Sequence, residues 1–181
     1  MQLPMSKSAL DRLGRRMAAV DQVADDDLRV FTALADTYQT VLDQVRTRLA
    51  ELGFTATPRV KTTGTLVDKL KRQHTRLSQV QDLAGARFTV ADRAAQDAAV
   101  QAIVADYESA GCVCKVDDLR DDPSHGYRAV HVILLVGQIP VEIQVRTEMQ
   151  DAWAQLVENL GDRWGRGIRY GDDPAEPDAL I

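Results

Sequence analysis

The feature that most constrains this chain is a pair of apolar runs joined by a short turn, AVHVILLVGQIPVEIQVRT, at residues 129–147. Gly137 stands where the first central residue of a two-residue turn needs a positive φ, so the pattern predicts a β-hairpin with Gly137 and Gln138 as its turn. The turn fixes the register, because residues equidistant from it face each other. The register predicts these facing pairs: Gln144 with His131, Arg146 with Ala129, and Glu142 with Ile133.

One face of the second strand is polar. Val141, Ile143 and Val145 alternate with polar residues, and successive side chains of a strand point to opposite faces. Together the two strands carry four polar side chains on one face, namely His131, Glu142, Gln144 and Arg146. An ordinary amphipathic strand gives the same alternation, with the polar face in solvent. The neighbouring apolar runs favour a second interpretation, in which this face is the floor of a polar site.

The length and composition suit one soluble domain over residues 1–181. Apolar residues make up 45% of the chain and charged residues 27%, as in ordinary globular proteins. The sequence has neither a membrane-spanning apolar run nor a secretory signal pattern, so we expect a cytoplasmic protein without a membrane partner. Cys112 and Cys114 share one face of a predicted strand. We expect a buried apolar pair, because no second cluster of Cys and His supplies further metal ligands.

The net charge of −5 is unevenly distributed. Residues 59–76 hold six Lys and Arg against one acidic residue, whereas residues 77–181 hold nine against eighteen. A compact basic patch on an acidic protein favours a local polyanion such as a nucleotide over coating of a nucleic-acid backbone. A solvated basic helix face would have the same composition, so charge alone leaves both interpretations open.

The order of predicted elements indicates the fold class. Two helices are followed by a strand, a short helix, a strand, a helix, a strand, the hairpin and a final helix. This order predicts an α/β (α+β) fold with a mixed sheet flanked by helices. We expect a helical N-terminal segment over residues 1–53, a core over residues 55–165 and a frayed acidic tail over residues 171–181. The apolar side of the final helix is expected to carry Trp153, Leu156, Val157 and Leu160.

Two acidic residues at predicted strand positions could hold a cation. Asp82 precedes one strand and Glu142 lies in the hairpin, and carboxylates that converge from two strands suit Mg²⁺, which is usually shared with substrate phosphates. No Walker-type Gly-rich loop is present, so a triphosphate would be held by side chains. The basic candidates are Arg59, Lys61, Lys69, Lys71, Arg72, Arg87 and Arg146. Tyr127 lies in a loop beside the hairpin, where it is placed either to stack on a base or to pack at the loop edge.

Five blocks of this sequence resemble the RelA/SpoT-type alarmone synthetases, the (p)ppGpp synthetases. The blocks are RVKTTGTLVDKLKR, QDLAGARF, HGYRAVH, VEIQVRT and WAQLVENL, and the resemblance covers about residues 55–165. It implies a nucleotidyltransferase-like mixed sheet that transfers the pyrophosphate of ATP to the ribose 3′-hydroxyl of GDP or GTP, with Mg²⁺ as cofactor.

The resemblance also implies roles for individual residues. Asp82 and Glu142 would be the catalytic acids: Asp82 resembles the Mg²⁺ ligand, and Glu142 resembles the second essential acid, which is a metal ligand or the base for the 3′-hydroxyl. The ATP phosphates would be bound by Arg59, Lys61, Lys69, Lys71, Arg72 and Arg87. The acceptor would be bound by Tyr127, which corresponds to a tyrosine that stacks on guanine, and by His131, Gln144 and Arg146.

The sequence departs from the family pattern at two places. Many members have a lysine in the loop before the Gly-Tyr pair, where this chain has Asp121, Asp122, Ser124 and His125. Many small members have a Glu-His pair where Val157 and Glu158 stand here. Two other functions therefore stay open: a toxin-like pyrophosphokinase acting on the tRNA 3′ end or an adenine nucleotide, with an antitoxin as partner, and a catalytically silent nucleotide-binding module. A homo-oligomer is also left open, although a further C-terminal helix used for tetramerisation is not evident.

Overall fold

The protein is described here by a computed structural model covering residues 2–165 and 167. These residues form five α-helices, a 3₁₀ turn at Leu77–Gln79 and five strands, broadly in the order that the sequence predicts. The helices are α1 (Lys7–Ala18), α2 (Asp25–Glu51), α3 (Thr63–Gln73), α4 (Arg93–Ser109) and α5 (Glu148–Trp164). The strands are β1 (Thr57–Val60), β2 (Ala84–Val90), β3 (Val113–Asp118), β4 (Val130–Val136) and β5 (Ile139–Thr147). The predicted acidic tail over residues 171–181 lies outside the described residues.

The five strands form one mixed sheet in the order β1-β2-β5-β4-β3. β2 and β5 run parallel, and the other neighbouring pairs are antiparallel. The predicted mixed sheet flanked by helices is confirmed.

The hairpin of β4 and β5 has the predicted register. Gly137 has a φ of +66° in the turn, which a residue with a side chain rarely adopts. His131 pairs with Gln144 and Ile133 with Glu142, as expected. The ladder ends where Val130 pairs with Val145, so the expected pair of Arg146 with Ala129 lies one step beyond it.

Helices α2 and α4 cover the apolar face of the sheet. Val141, Ile143 and Val145 are fully buried there, in one core with Leu42 of α2 and Ile103 of α4. Burial of such side chains contributes about 1.5–3 kcal/mol each. The apolar face is therefore closed by helices, and the opposite face of β5 is left for polar side chains.

The start of α5 follows directly from β5. The Thr147 hydroxyl accepts a hydrogen bond from the Gln150 backbone, and the Gln150 side chain accepts one from the Thr147 backbone. This capping box turns the chain into a helix at the end of the polar strand. The expectation for the apolar side of α5 was wrong at Leu156, which is 56% exposed, because α5 approaches the sheet through the small residues Ala154 and Gly161.

The cysteines and the helices were the subject of two further expectations from the sequence. Cys112 and Cys114 are free and half-buried against the core, rather than fully buried. Within residues 2–165 and 167, no helix has the length and apolar character needed to cross a bilayer.

Candidate active site

A groove crosses the polar face where β1, β2 and β5 lie side by side. The pairing aligns Arg59 with Gly85 and Gly85 with Glu142, so these positions share one face. The groove is lined by Arg59, Lys61, Asp82, Gly85, Ala86, Arg87, Glu142 and Gln144. A Cβ at position 85 would lie 3.0 Å from the Glu142 carbonyl oxygen, so glycine allows the backbones of β2 and β5 to approach closely here.

Asp82 lies between two lysines. The Nζ of Lys69 donates to Oδ1 over 2.7 Å, and the Nζ of Lys61 lies 3.1 Å from Oδ2. Burial raises the pKa of the Asp82 carboxyl, but the two ammonium groups outweigh it and hold the pKa below its usual value. Asp82 is thus ionised at neutral pH, with both of its oxygens facing cations.

Glu142 is held by its two polar neighbours on β4 and β5. The His131 Nδ1 lies 3.2 Å from Oε1, and the Gln144 amide donates to Oε2 over 2.7 Å. Burial and the charge of Asp82 raise the pKa of Glu142, whereas the contacts from His131 and Gln144 lower it, and the net direction is downward. Two ionised carboxylates therefore line one groove.

A closed ring of hydrogen bonds joins Glu142 to Tyr127. Arg146 Nη2 donates to the Gln144 Oε1 over 2.8 Å and to the Tyr127 hydroxyl over 3.0 Å, and that hydroxyl lies 2.9 Å from His131 Nε2. The distances fit an arrangement in which the His131 Nδ1 donates to Glu142 and the Tyr127 hydroxyl donates to Nε2. Tyr127 is thus connected to the carboxylate by two paths, through His131 and through Gln144.

Arg146 is the fixed member of this ring. It is only 3% exposed, its Nη1 donates to Asp151 over 3.0 Å, and its guanidinium carbon lies 5.2 Å from the centre of the Tyr127 ring. Burial lowers the pKa of Arg146, but the interactions with Tyr127 and Asp151 outweigh this effect and raise the pKa above its usual value. The guanidinium therefore stays charged. Its buried Nε has no hydrogen-bond partner among the residues that the structure describes.

A second cleft lies on the other side of Tyr127. It has a volume of about 220 Å³ and is lined by Ser124, Tyr127, Arg146, Trp153, Ala154, Val157 and Glu158. Gly126 has a φ of +81°, and a Cβ there would lie 2.8 Å from Trp153 Cζ2, so the Gly-Tyr loop packs directly on α5. Arg59 Nη1 lies 3.7 Å from Glu158 Oε1, which places the groove and the cleft next to each other.

Most of the predicted site residues come together. Arg59, Lys61 and Arg87 line the groove, and Lys69 contacts Asp82 within it. The four acceptor candidates form the ring together with Glu142. Lys71 does not lie in the groove, because its Nζ donates to the Val20 carbonyl over 3.0 Å and lies 3.6 Å from Asp21. Arg72 is exposed on α3.

Sequence reasoning missed Trp153 and Glu158 as site residues. The sequence pattern places Trp153 on the apolar side of α5. It distinguishes Glu158 only as a departure from the family pattern. Their five-residue separation is not a simple same-face spacing, so the helical period alone would not have paired them. Only the packing of α5 on the sheet brings both to one cleft.

Comparison with known proteins identifies the family. The model of a region found in RelA / SpoT proteins matches residues 58–160, which include both carboxylates and the ring. The chain belongs to the RelA/SpoT family. An uncharacterized protein of Mycobacterium tuberculosis is 37% identical over 178 residues, covering 96% of this chain and 65% of that relative. This RelA/SpoT chain thus spans 65% of the length of the curated relatives it matches.

Solved structures have the same RelA/SpoT fold. Small alarmone synthetase 1 from Bacillus subtilis superposes with a TM-score of 0.64 at 19% identity, over 76% of this chain and 80% of that one. Small alarmone synthetase 2 from the same organism gives 0.62 at 24% identity, over 77% and 82%. The first enzyme has also been solved bound to its product pppGpp and to AMPCPP. At these identities the comparisons establish the fold.

Proposed function

We propose that this chain is a Mg²⁺-dependent pyrophosphokinase that transfers the pyrophosphate of ATP to the ribose 3′-hydroxyl of GDP or GTP. The observation that carries the proposal is the groove in which two ionised carboxylates, Asp82 and Glu142, lie among basic side chains. Family membership supports the same reaction class.

The basic side chains suit the triphosphate of the donor. Arg59, Lys61 and Arg87 line the groove, and Lys69 contacts Asp82 within it. Charge-assisted hydrogen bonds from such groups are the strong contacts to phosphate oxygens. Lys61 and Lys69 are paired with Asp82, so a triphosphate would compete for their ammonium groups. The AMPCPP complex of small alarmone synthetase 1 supports an ATP-like donor.

The donor set of the groove fits Mg²⁺. Asp82 and Glu142 offer only oxygen ligands, both carboxylates are held ionised, and Mg²⁺ prefers a few carboxylates together with phosphate oxygens. Within the described residues, no group of three or more His, Cys, Asp and Glu side chains forms a protein-only metal cage. A bound Mg²⁺ would neutralise charge on the phosphates during transfer.

Glu142 is the residue that would take the proton of the acceptor hydroxyl. As the hydroxyl oxygen forms its bond to the β-phosphorus of ATP, the bond from that phosphorus to the α,β-bridging oxygen breaks and AMP leaves. His131 and Gln144 hold the two oxygens of Glu142 in place before the reaction. Most of the acceleration would come from alignment and electrostatics, as in other phosphoryl-transfer enzymes.

A test of the proposal supplies γ-labelled ATP and Mg²⁺ with one acceptor at a time: GDP, GTP, ADP or tRNA. We expect the label on GDP or GTP, because the pyrophosphate carries the γ-phosphorus with it. Label on tRNA or on ADP alone would instead identify a different acceptor. No label on any acceptor, from a folded protein that binds AMPCPP, would contradict the pyrophosphokinase assignment.

A further inference from the structure

The second cleft has the shape and chemistry of a site for a planar base. Tyr127, Trp153 and Val157 form apolar walls, and stacking on aromatic rings contributes about 1–3 kcal/mol per base. Ser124, Arg146 and Glu158 supply the polar groups. The walls alone would accept any base, because every base has a π-face, so selection must come from the polar groups.

Glu158 is a polar group of the cleft that can distinguish guanine from adenine. Its side chain is 36% exposed, so the carboxylate is partly shielded from water and still open to a ligand. A carboxylate only accepts hydrogen bonds. Guanine presents two adjacent donors, N1–H and the 2-amino group, which match the two oxygens of a carboxylate. Adenine presents one amino group beside the N1 lone pair, which would face a carboxylate oxygen and repel it.

The position of Glu158 relative to the groove agrees with an acceptor site. Arg59 lines the groove and contacts Glu158, while Tyr127 lines the cleft and is bonded through the ring to Glu142. A base in the cleft would therefore leave its ribose near the groove, where the carboxylates lie.

We propose that Glu158 is the specificity-determining residue of this site, and that its carboxylate selects guanine by accepting from N1–H and the 2-amino group. This inference rests on the proposed function, because it names the acceptor base of the same reaction.

The competing explanation is that Glu158 only holds Arg59. The two explanations differ in what the variant Glu158→Gln changes. A glutamine keeps one acceptor and replaces the other with a donor, which would face the 2-amino group of guanine. If Glu158 reads guanine, the variant weakens guanine binding selectively. If it acts through Arg59, the variant changes binding of the ATP analogue.

The experiment measures dissociation constants by calorimetry for GDP, IDP and ADP in the absence of ATP, with AMPCPP occupying the ATP site, and for AMPCPP separately. Inosine lacks only the 2-amino group of guanosine, so the ratio of the GDP and IDP constants isolates that contact. Glu148→Gln is the matched control, since it makes the same chemical change at an exposed position of the same helix. Wild type and the control should bind GDP about tenfold or more tighter than IDP, as expected for one hydrogen bond to a charged group.

In Glu158→Gln the GDP-to-IDP ratio should fall to near one, while AMPCPP binding stays within about twofold of wild type. Equal binding of GDP and IDP by wild type, a ratio that survives the substitution, or a parallel loss of AMPCPP binding would each overturn the inference. Tighter binding of ADP than of GDP when AMPCPP occupies the ATP site would also overturn it. Guanine selectivity without label transfer would contradict the proposed function alone, and transfer with an unchanged ratio would contradict this inference alone.

Discussion

Tyr127 shows how a single side chain serves both sides of the proposed site. Its ring lines the cleft, and its hydroxyl bonds to His131 and Arg146 in the ring that ends at Glu142. The sequence suggests only the first role, for which phenylalanine would serve equally well. The structure separates the two roles, because phenylalanine keeps the ring and removes the hydroxyl.

We therefore expect different results from Tyr127→Ala and Tyr127→Phe. The alanine variant should weaken acceptor binding by about 1–3 kcal/mol with little change in the KM for ATP, because it removes the proposed stacking surface. The phenylalanine variant should keep the acceptor KM, but lose about 1–3 kcal/mol of stability, because the buried Arg146 and His131 lose a partner. Steady-state kinetics and urea unfolding of both variants test this. An unchanged acceptor KM in a folded Tyr127→Ala would remove Tyr127 from the site.

The sequence predicts which residues lie in the candidate site better than it predicts the hydrogen bonds between them. His131, Glu142 and Gln144 could be placed on one face because Gly137 and strand alternation determine the register. The ring of hydrogen bonds could not be predicted, since it depends on side-chain rotamers and on the tautomer of His131. The inward position of Arg146 likewise depends on Asp151, which α5 supplies.

The basic residues of helix α3 point in two directions. Leu66 and Leu70 are buried, and α3 packs on α1, which fixes the rotation of the helix about its axis. Lys69 then contacts Asp82, whereas Lys71 contacts the Val20 carbonyl. Residues two apart on a helix lie on nearly opposite sides, since each residue turns it by about 100°. That spacing alone predicts that the two lysines lie on opposite sides of the helix. It does not predict which of them faces the groove.

Lys69→Ala and Lys71→Ala form a matched pair on this helix. Lys69→Ala should raise the KM for ATP about tenfold and leave the acceptor KM within about twofold, because it removes the charged contact proposed for the donor phosphates. Lys71→Ala should leave both constants near wild type, because its ammonium group lies at the loop between α1 and α2. Steady-state kinetics with each substrate varied in turn checks the pair. Equal effects of the two substitutions on the KM for ATP would contradict the assignment of Lys69, and not Lys71, to the ATP site.

Across the whole molecule, ion pairs join helices that are distant in sequence. Arg16 of α1 pairs with Asp27 of α2, and Arg48 of α2 pairs with Asp106 of α4. The hydrogen bond from Arg48 lowers the pKa of Asp106 below its usual value of 3.8, against a smaller opposing effect of burial. The Arg48 guanidinium also lies 5.3 Å from the centre of the Tyr107 ring. The sequence gives no sign of these pairs, because they depend on how α2 lies against its neighbours.

The lowered pKa of Asp106 determines how stability should depend on pH. A carboxyl whose pKa is lower in the folded state stabilises the protein above its unfolded pKa, and this contribution is lost as pH falls through the folded pKa. Wild type should therefore lose more stability between pH 7 and pH 3 than Asp106→Asn does. Urea unfolding at several pH values measures the difference, with the exposed Asp36→Asn on α2 as control. An equal loss in wild type and Asp106→Asn would contradict the assignment of this ion pair.

Asp82 and Glu142 are proposed to carry out the pyrophosphate transfer together. The most direct measurement is chromatographic quantification of AMP and of the pyrophosphorylated guanine nucleotide formed by wild type, Asp82→Asn, Glu142→Gln and the control Glu148→Gln. Wild type and the control should form the two products in equal amounts, and each of the other two variants should be slower by about a hundredfold or more with an unchanged circular dichroism spectrum. A folded Asp82→Asn or Glu142→Gln protein with the wild-type rate, or ADP in place of AMP, would contradict the claim.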